Sequence, residues 1–183
     1  MAKKTEGAVL VRLLGRNDCK AAGKFCEKTL KWMQEKYLHG VYPEEGLRFD
    51  IWHHSAQNIL KDLSDPDRFT LLAVKGEDIC GIARGTVFGA SGQAVLNYIA
   101  VDPDRQHEGI GMKLMIACED LLAKRRCHKI SLHTLPALIP AVRLYMKFGL
   151  LPEAYLRKAW WGADFLLMSK WIGDYKKTAE KKR

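Results

Sequence analysis

The apolar positions of this chain change their spacing along its length, and the changes mark out its elements. Residues 8–14 are a short, mostly apolar run that reads as a strand. Asn17 or Asp18 stands where a cap is needed for a helix reaching about Lys36, with Ala21, Phe25 and Met33 on one side. From 39 to 50 the punctuation Gly40, Pro43 and Gly46 predicts a loop. A second helix follows over 55–63, stopped by the turn sequence Ser64-Asp65-Pro66-Asp67. Strands over 70–75 and 79–88 are joined by Gly76-Glu77-Asp78, a hairpin signal, and a turn over 89–92 leads into an apolar strand over 94–101. In 111–125 the residues Leu114, Cys118, Leu121 and Leu122 recur at helical spacing and predict one buried stripe. A buried strand over 129–135 precedes an amphipathic helix over 139–148, with Gly149 as its C-cap. Two last strands, 151–157 and 164–172, flank a turn near Trp160 and Gly162. Seven strands and four helices interleaved around one sheet imply a mixed α/β, or α+β, fold occupying 7–173 as one domain.

Composition narrows the class. Of the 183 residues, 48% are apolar and 28% charged, which excludes disorder and fibrous repeats. No apolar run approaches the ~18 residues needed to span a bilayer. The N-terminal segment shows no secretory signal, and five cysteines without a Cys-x-x-Cys pair suit free thiols in a reducing compartment. The expected location is therefore the cytoplasm, with no membrane partner. The net charge of +9 divides into +1 over 1–6, +3 over 174–183 and +5 between them, so two short segments are read as basic, flexible tails. A basic surface attracts polyanions such as phosphorylated cofactors or nucleic acid. No interleaved aromatic and basic motif supports the nucleic-acid option. His53-His54 lack an i,i+4 partner and the other histidines are scattered, so no metal site is expected.

The chemistry concentrates in two segments. Gln106-x-x-Gly109-x-Gly111 follows a strand and opens a helix. Glycines there allow close backbone approach, and free N–H groups with the helix dipole suit a pyrophosphate. The Gly-Lys-Ser/Thr of a P-loop and the dinucleotide Gly-x-Gly-x-x-Gly are both missing. On the next helix Ala141, Tyr145 and Gly149 recur every fourth residue.

Together these segments resemble motifs A and B of the GNAT superfamily, the acetyl-CoA-dependent N-acetyltransferases, most strongly over 94–150. The resemblance implies a mostly antiparallel, twisted sheet of about seven strands, splayed between the fourth and fifth, and about four flanking helices. It implies acetyl-CoA as acyl donor, with no metal, and a primary amine as acceptor. Strand residues Ile99, Ala100 and Val101 would pair with the pantetheine arm, and Gln106, His107, Glu108, Gly109, Ile110, Gly111 and Met112 would hold the pyrophosphate. Tyr145 falls on the family's general acid. Lys147 falls either near the cofactor phosphates or on the solvated surface. His133 occupies the position where enzymes acetylating protein N-termini often carry a glutamate. A second departure is Leu138, where the family often has an asparagine that touches the cofactor arm, and the other frequent base position, near Val95, holds no acid.

Acceptor-side residues are suggested by a weaker resemblance to N-terminal protein acetyltransferases. Glu44 and Glu45 follow Pro43 in the loop that lines the acceptor groove, and Trp160-Trp161 stand where that group has paired tyrosines. Chemistry is compatible with either a peptide α-amine or a small amine. The α-amine, with a pKa of about 7.7–8, deprotonates at a cost of only about 1 kcal/mol at pH 7, against roughly 4–5 for a lysine-like amine. A neutral histidine suffices as base for the former. The alternative to an enzyme is a non-catalytic acyl-CoA-binding regulatory module, motivated by Leu138 and the missing acidic base. Monomer and homodimer are equally open.

Overall fold

The computed structural model describes residues 7–173; the two basic segments, 1–6 and 174–183, lie outside the described residues. Seven strands make one sheet: β1 (Leu10–Leu13), β2 (Arg68–Lys75), β3 (Asp78–Phe88), β4 (Gln93–Val101), β5 (Lys129–Thr134), β6 (Leu151–Leu156) and β7 (Phe165–Trp171). Their spatial order is β1-β2-β3-β4-β5-β7-β6. All neighbouring pairs are antiparallel except β4 and β5. That parallel pair holds for three residues, Gln93↔Lys129 to Val95↔Ser131, after which the strands part. The sheet is splayed where the sequence implied.

Five helices cover the sheet: α1 (Cys19–Met33), α2 (Glu44–His53), α3 (Ala56–Asp62), α4 (Ile110–Lys124) and α5 (Ile139–Phe148). The expected count of four omitted α2, because 39–50 read as a loop. Pro43 sits at its N-cap in extended conformation and Glu44 and Glu45 occupy its first turn, where their charge complements the helix dipole. Gly46, taken as a turn signal, is a packing glycine. The ring of Tyr42 lies against it, and a Cβ there would fall 2.5 Å from the ring carbon Cζ. α1 runs on into a π-helical turn, Gln34–Leu38. Its buried side carries Ala22, Phe25, Cys26 and Leu30. Ala21, expected on that side, is exposed. Asp18 makes no side-chain cap; its carboxylate is taken by Arg12 at 2.6 Å and by the Gly15 N–H at 2.8 Å.

The two sides of the sheet have separate cores. One gathers Leu114, Met115, Cys118 and Leu122 of α4 with Phe148 of α5. The other gathers the apolar side of α1 with Leu47 of α2 and Ile59 of α3. A bulge decides which side the end of β4 serves. Register steps from Gly85↔Leu96 to Arg84↔Tyr98, leaving Asn97 as an extra residue. Strand side chains alternate, so one extra residue reverses every later one. Ala94 and Leu96 accordingly belong to the α4 core, and Tyr98 and Ala100 to the α1 core. All five cysteines are free and buried. No helix among the described residues is long and apolar enough to cross a membrane.

Candidate active site

The parting of β4 and β5 opens the sheet, and two cavities meet there. The first, about 410 Å³, lies between the end of β4, the start of α4 and α5. Ten of the eleven residues expected to hold the cofactor line it: Ile99, Ala100, Val101, Gln106, His107, Gly109, Ile110, Gly111, Met112 and Lys147. Glu108 does not. Gly109, at φ +76°, caps α4 from a left-handed conformation, and a Cβ on it would meet nothing within 4 Å. The side facing the cavity is therefore bare backbone. The first intrahelical bond of α4 runs from the Lys113 N–H to the Gly109 carbonyl at 3.1 Å. The N–H groups of Ile110, Gly111 and Met112 precede it and carry the positive end of the helix dipole. No acid lines this cavity among the described residues, and the exposed Lys147 is part of its lining. A diphosphate fits such a donor set.

The second cavity, about 300 Å³, lies across the gap, between α2, β5 and the turn before β7. It shares Met33, Ile99, Leu138, Ala141 and Tyr145 with the first. Tyr145 is thus the polar side chain common to both. It is buried, and burial pushes its hydroxyl above the ordinary tyrosine pKa, so it keeps its proton at neutral pH. His133, Trp160 and Trp161 also line the second cavity. The Trp160 ring stands edge-on to His133 at 4.8 Å. Burial lowers the His133 pKa below the usual value, which leaves the imidazole neutral at pH 7. Glu44 and Glu45 are exposed on α2 and line neither cavity.

Sequence reading missed the acid that does reach this space. Asp50, on α2, is the sole carboxylate lining the second cavity among the described residues. It accepts a hydrogen bond from the Tyr42 hydroxyl at 3.1 Å. Burial pushes its pKa up to about 6, against the lowering effect of that bond. No signal in the sequence sets Asp50 apart, because what places it is the close approach of the Tyr42 ring to Gly46, one helical turn before it. The cavity floor is a second unforeseen group. Tyr98 stacks on His54, with ring centroids 4.4 Å apart. Its hydroxyl meets the Thr29 hydroxyl at 2.7 Å. Arg84 donates to His54 Nδ1 and, at 2.6 Å, to the Asp62 carboxylate. Burial and Arg84 together lower the His54 pKa to about 2, so this histidine is a neutral acceptor.

Comparison with known proteins agrees with this architecture. A family model described as "Acetyltransferase (GNAT) family" matches residues 27–150. The chain belongs to the GNAT acetyltransferase family. No curated protein matches it. Among solved structures, this GNAT chain is similar to the PaiA N-acetyltransferase from Thermoplasma acidophilum in complex with coenzyme A. The identity is 20% and the TM-score 0.74, over 90% of this chain and 99% of that one. It is similar at 20% identity and TM-score 0.68 to a ribosomal-protein alanine N-acetyltransferase from Escherichia coli, over 91% of this chain and 96% of that one. A spermidine N-acetyltransferase from Vibrio cholerae, in complex with CoA and spermine, matches at 18% identity and TM-score 0.68, over 90% and 95%. At such identities the shared property is the fold.

Proposed function

We propose that this GNAT protein is an acetyl-CoA-dependent N-acetyltransferase, its residues 7–173 acting as one domain, that passes an acetyl group to a primary amine by direct attack in a ternary complex. One observation carries the reading. Among the described residues two cavities of opposite character meet at Tyr145, one lined by basic and backbone N–H groups without an acid, the other holding a single carboxylate. The first suits an anionic donor and the second a cationic acceptor. Acetyl-CoA supplies an activated thioester carbonyl. Ile110, Gly111 and Met112 would hold its diphosphate through their N–H groups, with Lys147 at the edge. Ile99, Ala100 and Val101 would pair with its arm along the stretch of β4 that β5 has left.

The acceptor arrives as an ammonium and must lose a proton before it attacks. His133, neutral, takes that proton directly or through water. The nitrogen lone pair then forms the C–N bond, the C–S bond breaks, and Tyr145 gives its proton to the departing sulfur. The second proton lost by nitrogen restores Tyr145. The products are an amide, the CoA thiol and one proton released to solvent. A backbone N–H of β4 beyond the bulge serves the carbonyl oxygen.

Calorimetric titration with acetyl-CoA, and with ATP as control, tests the reading. Selective binding followed by acetyl transfer to an amine panel is the expected result; no binding at millimolar acetyl-CoA would sink it. His133→Ala is expected to displace the acidic limb of the kcat profile, and an unmoved limb assigns the base to water. Leu138 lines both cavities where an amide side chain would be expected, and it favours a second reading, a non-catalytic acyl-CoA-binding module. Tight acetyl-CoA binding with no transfer to any amine would select it.

A further inference from the structure

We infer that the acceptor is a small primary monoamine with an aromatic or branched apolar body, its ammonium held by the Asp50 carboxylate inside a wall of aromatic rings. The inference rests on the acetyltransferase reading and adds to it a substrate class.

The wall is built from two runs of rings. Tyr42 meets Phe165 edge-on at 6.3 Å, and Phe165 meets Trp160 at 4.9 Å. On the α2 side Phe49 and Trp161 approach to 5.6 Å. Tyr98 closes the floor. Rings in such an enclosure gain from burying an apolar body and attract a cation over their faces. Within this wall Asp50 is the one fixed negative charge among the described residues. Its carboxylate accepts a hydrogen bond from a neutral phenol, and among the described residues no lysine, arginine or histidine is paired with it. A partly buried carboxylate without a counter-charge is costly, and a ligand cation relieves that cost. Its raised pKa is the same fact seen from the proton's side.

The count of charges sets the class. A polyamine brings two or more ammonium groups into the site, and the second would meet rings and two histidines, of which His54 is neutral and His133 has a lowered pKa. The rings offset part of its lost hydration, but no second carboxylate lines the cavity among the described residues. Size points the same way. About 300 Å³ is the lower end of the ~300–1,000 Å³ of ligand cavities, enough for a ring and a short amine arm. Glu44 and Glu45, the neighbouring acids on α2, lie outside the cavity and offer a longer polycation no partner within it.

The test uses the full chain and four probes: phenethylamine, ethylamine, spermidine and a tetrapeptide with a free N-terminus. Binding is read by calorimetry without cofactor, and turnover as kcat/KM at saturating acetyl-CoA. Phenethylamine is expected to exceed each other probe in kcat/KM by tenfold or more. Asp50→Asn is expected to weaken phenethylamine binding at least tenfold while leaving acetyl-CoA binding within twofold. Spermidine or the tetrapeptide as preferred acceptor overturns the proposal, and so does unchanged phenethylamine binding in Asp50→Asn. The wild-type ratio decides the matter should that variant not fold. Phenethylamine bound through Asp50 but never acetylated would uphold this site and remove the acetyltransferase reading instead.

Discussion

Asp50 and Tyr145 are perturbed by the same cause, burial, with opposite consequences for their work. Tyr145 is held protonated well past neutrality, which suits a donor to a departing sulfur. Tyr145→Phe keeps the ring and its packing, so the fold should be intact while kcat drops by ~10²-fold or more. An unchanged kcat at saturating substrates removes the hydroxyl from the chemistry. For Asp50 the sign of the linkage runs against stability. Its carboxyl holds a proton up to a pH of about 6 in the fold, above the ordinary carboxylate range of the unfolded chain. The folded state therefore binds more protons between about pH 4 and 6, and stability falls as the pH rises through that window. The loss is complete at pH 7.5 and on the order of 2–3 kcal/mol. Asp50→Asn lacks it. Thermal melts should show the variant roughly 5 °C or more above wild type at pH 7.5, and level with it at pH 4. Parallel curves at both pH values would mean that Asp50 is solvated and has no claim on a ligand cation. A residue that destabilises its own fold when charged is the pattern expected of a group kept for function.

Among the elements, α2 is where sequence and structure diverge, and its glycine explains why. Gly46 costs a helix about 1 kcal/mol relative to alanine and is ordinarily a turn residue, so propensity alone pointed to a loop. The structure spends that cost on a close approach, since the Tyr42 ring occupies the space of the missing Cβ. The ring thereby sits one helical turn from Asp50, within reach of its carboxylate. No local pattern announces a glycine that serves a ring rather than a turn. For the same reason Asp50 could not be picked out from among the chain's acids, whereas Glu44 and Glu45 stood out through a resemblance that rests on their place after Pro43. What was legible had strong local signals. The two-glycine turn before α4, the helical spacing on α5 and the apolar run of β4 each specify their own geometry, and together they led to the first cavity. The bulge at Asn97 was not legible, because it depends on the register of β3 against β4. Gly46→Ala tests the account of α2. The added methyl displaces Tyr42, so the KM for the amine should rise several-fold while that for acetyl-CoA holds, despite the better helix propensity. Equal rises in both would show that α2 supports the whole opening and not the acceptor side alone.

The whole molecule carries +9, and its two cavities face that field with opposite needs. An anionic donor is drawn toward the protein by its net charge, whereas a cationic acceptor approaches against it. The acceptor side can function only if its attraction is local, and a partly buried carboxylate is local by construction. Salt separates the two cases. The Debye length falls from about 10 Å at 0.1 M to about 3 Å at 1 M, which removes long-range attraction but leaves a buried pair largely untouched. Acetyl-CoA affinity should therefore weaken by tenfold or more between 0.05 M and 1 M KCl, through the N–H groups of α4 and the exposed Lys147. Phenethylamine affinity should change by less than threefold, since its attraction is to Asp50 within the ring wall and not to the surface. The thermal melt gives a second reading of the first term. Acetyl-CoA at about 100 times its Kd should stabilise the fold by about 2.7 kcal/mol, visible as a Tm rise of roughly 5–10 °C in low salt that shrinks in high salt. Equal salt slopes for donor and acceptor would place both ligands on the open surface, and the division of labour between an electropositive cavity and an aromatic one would fall with them.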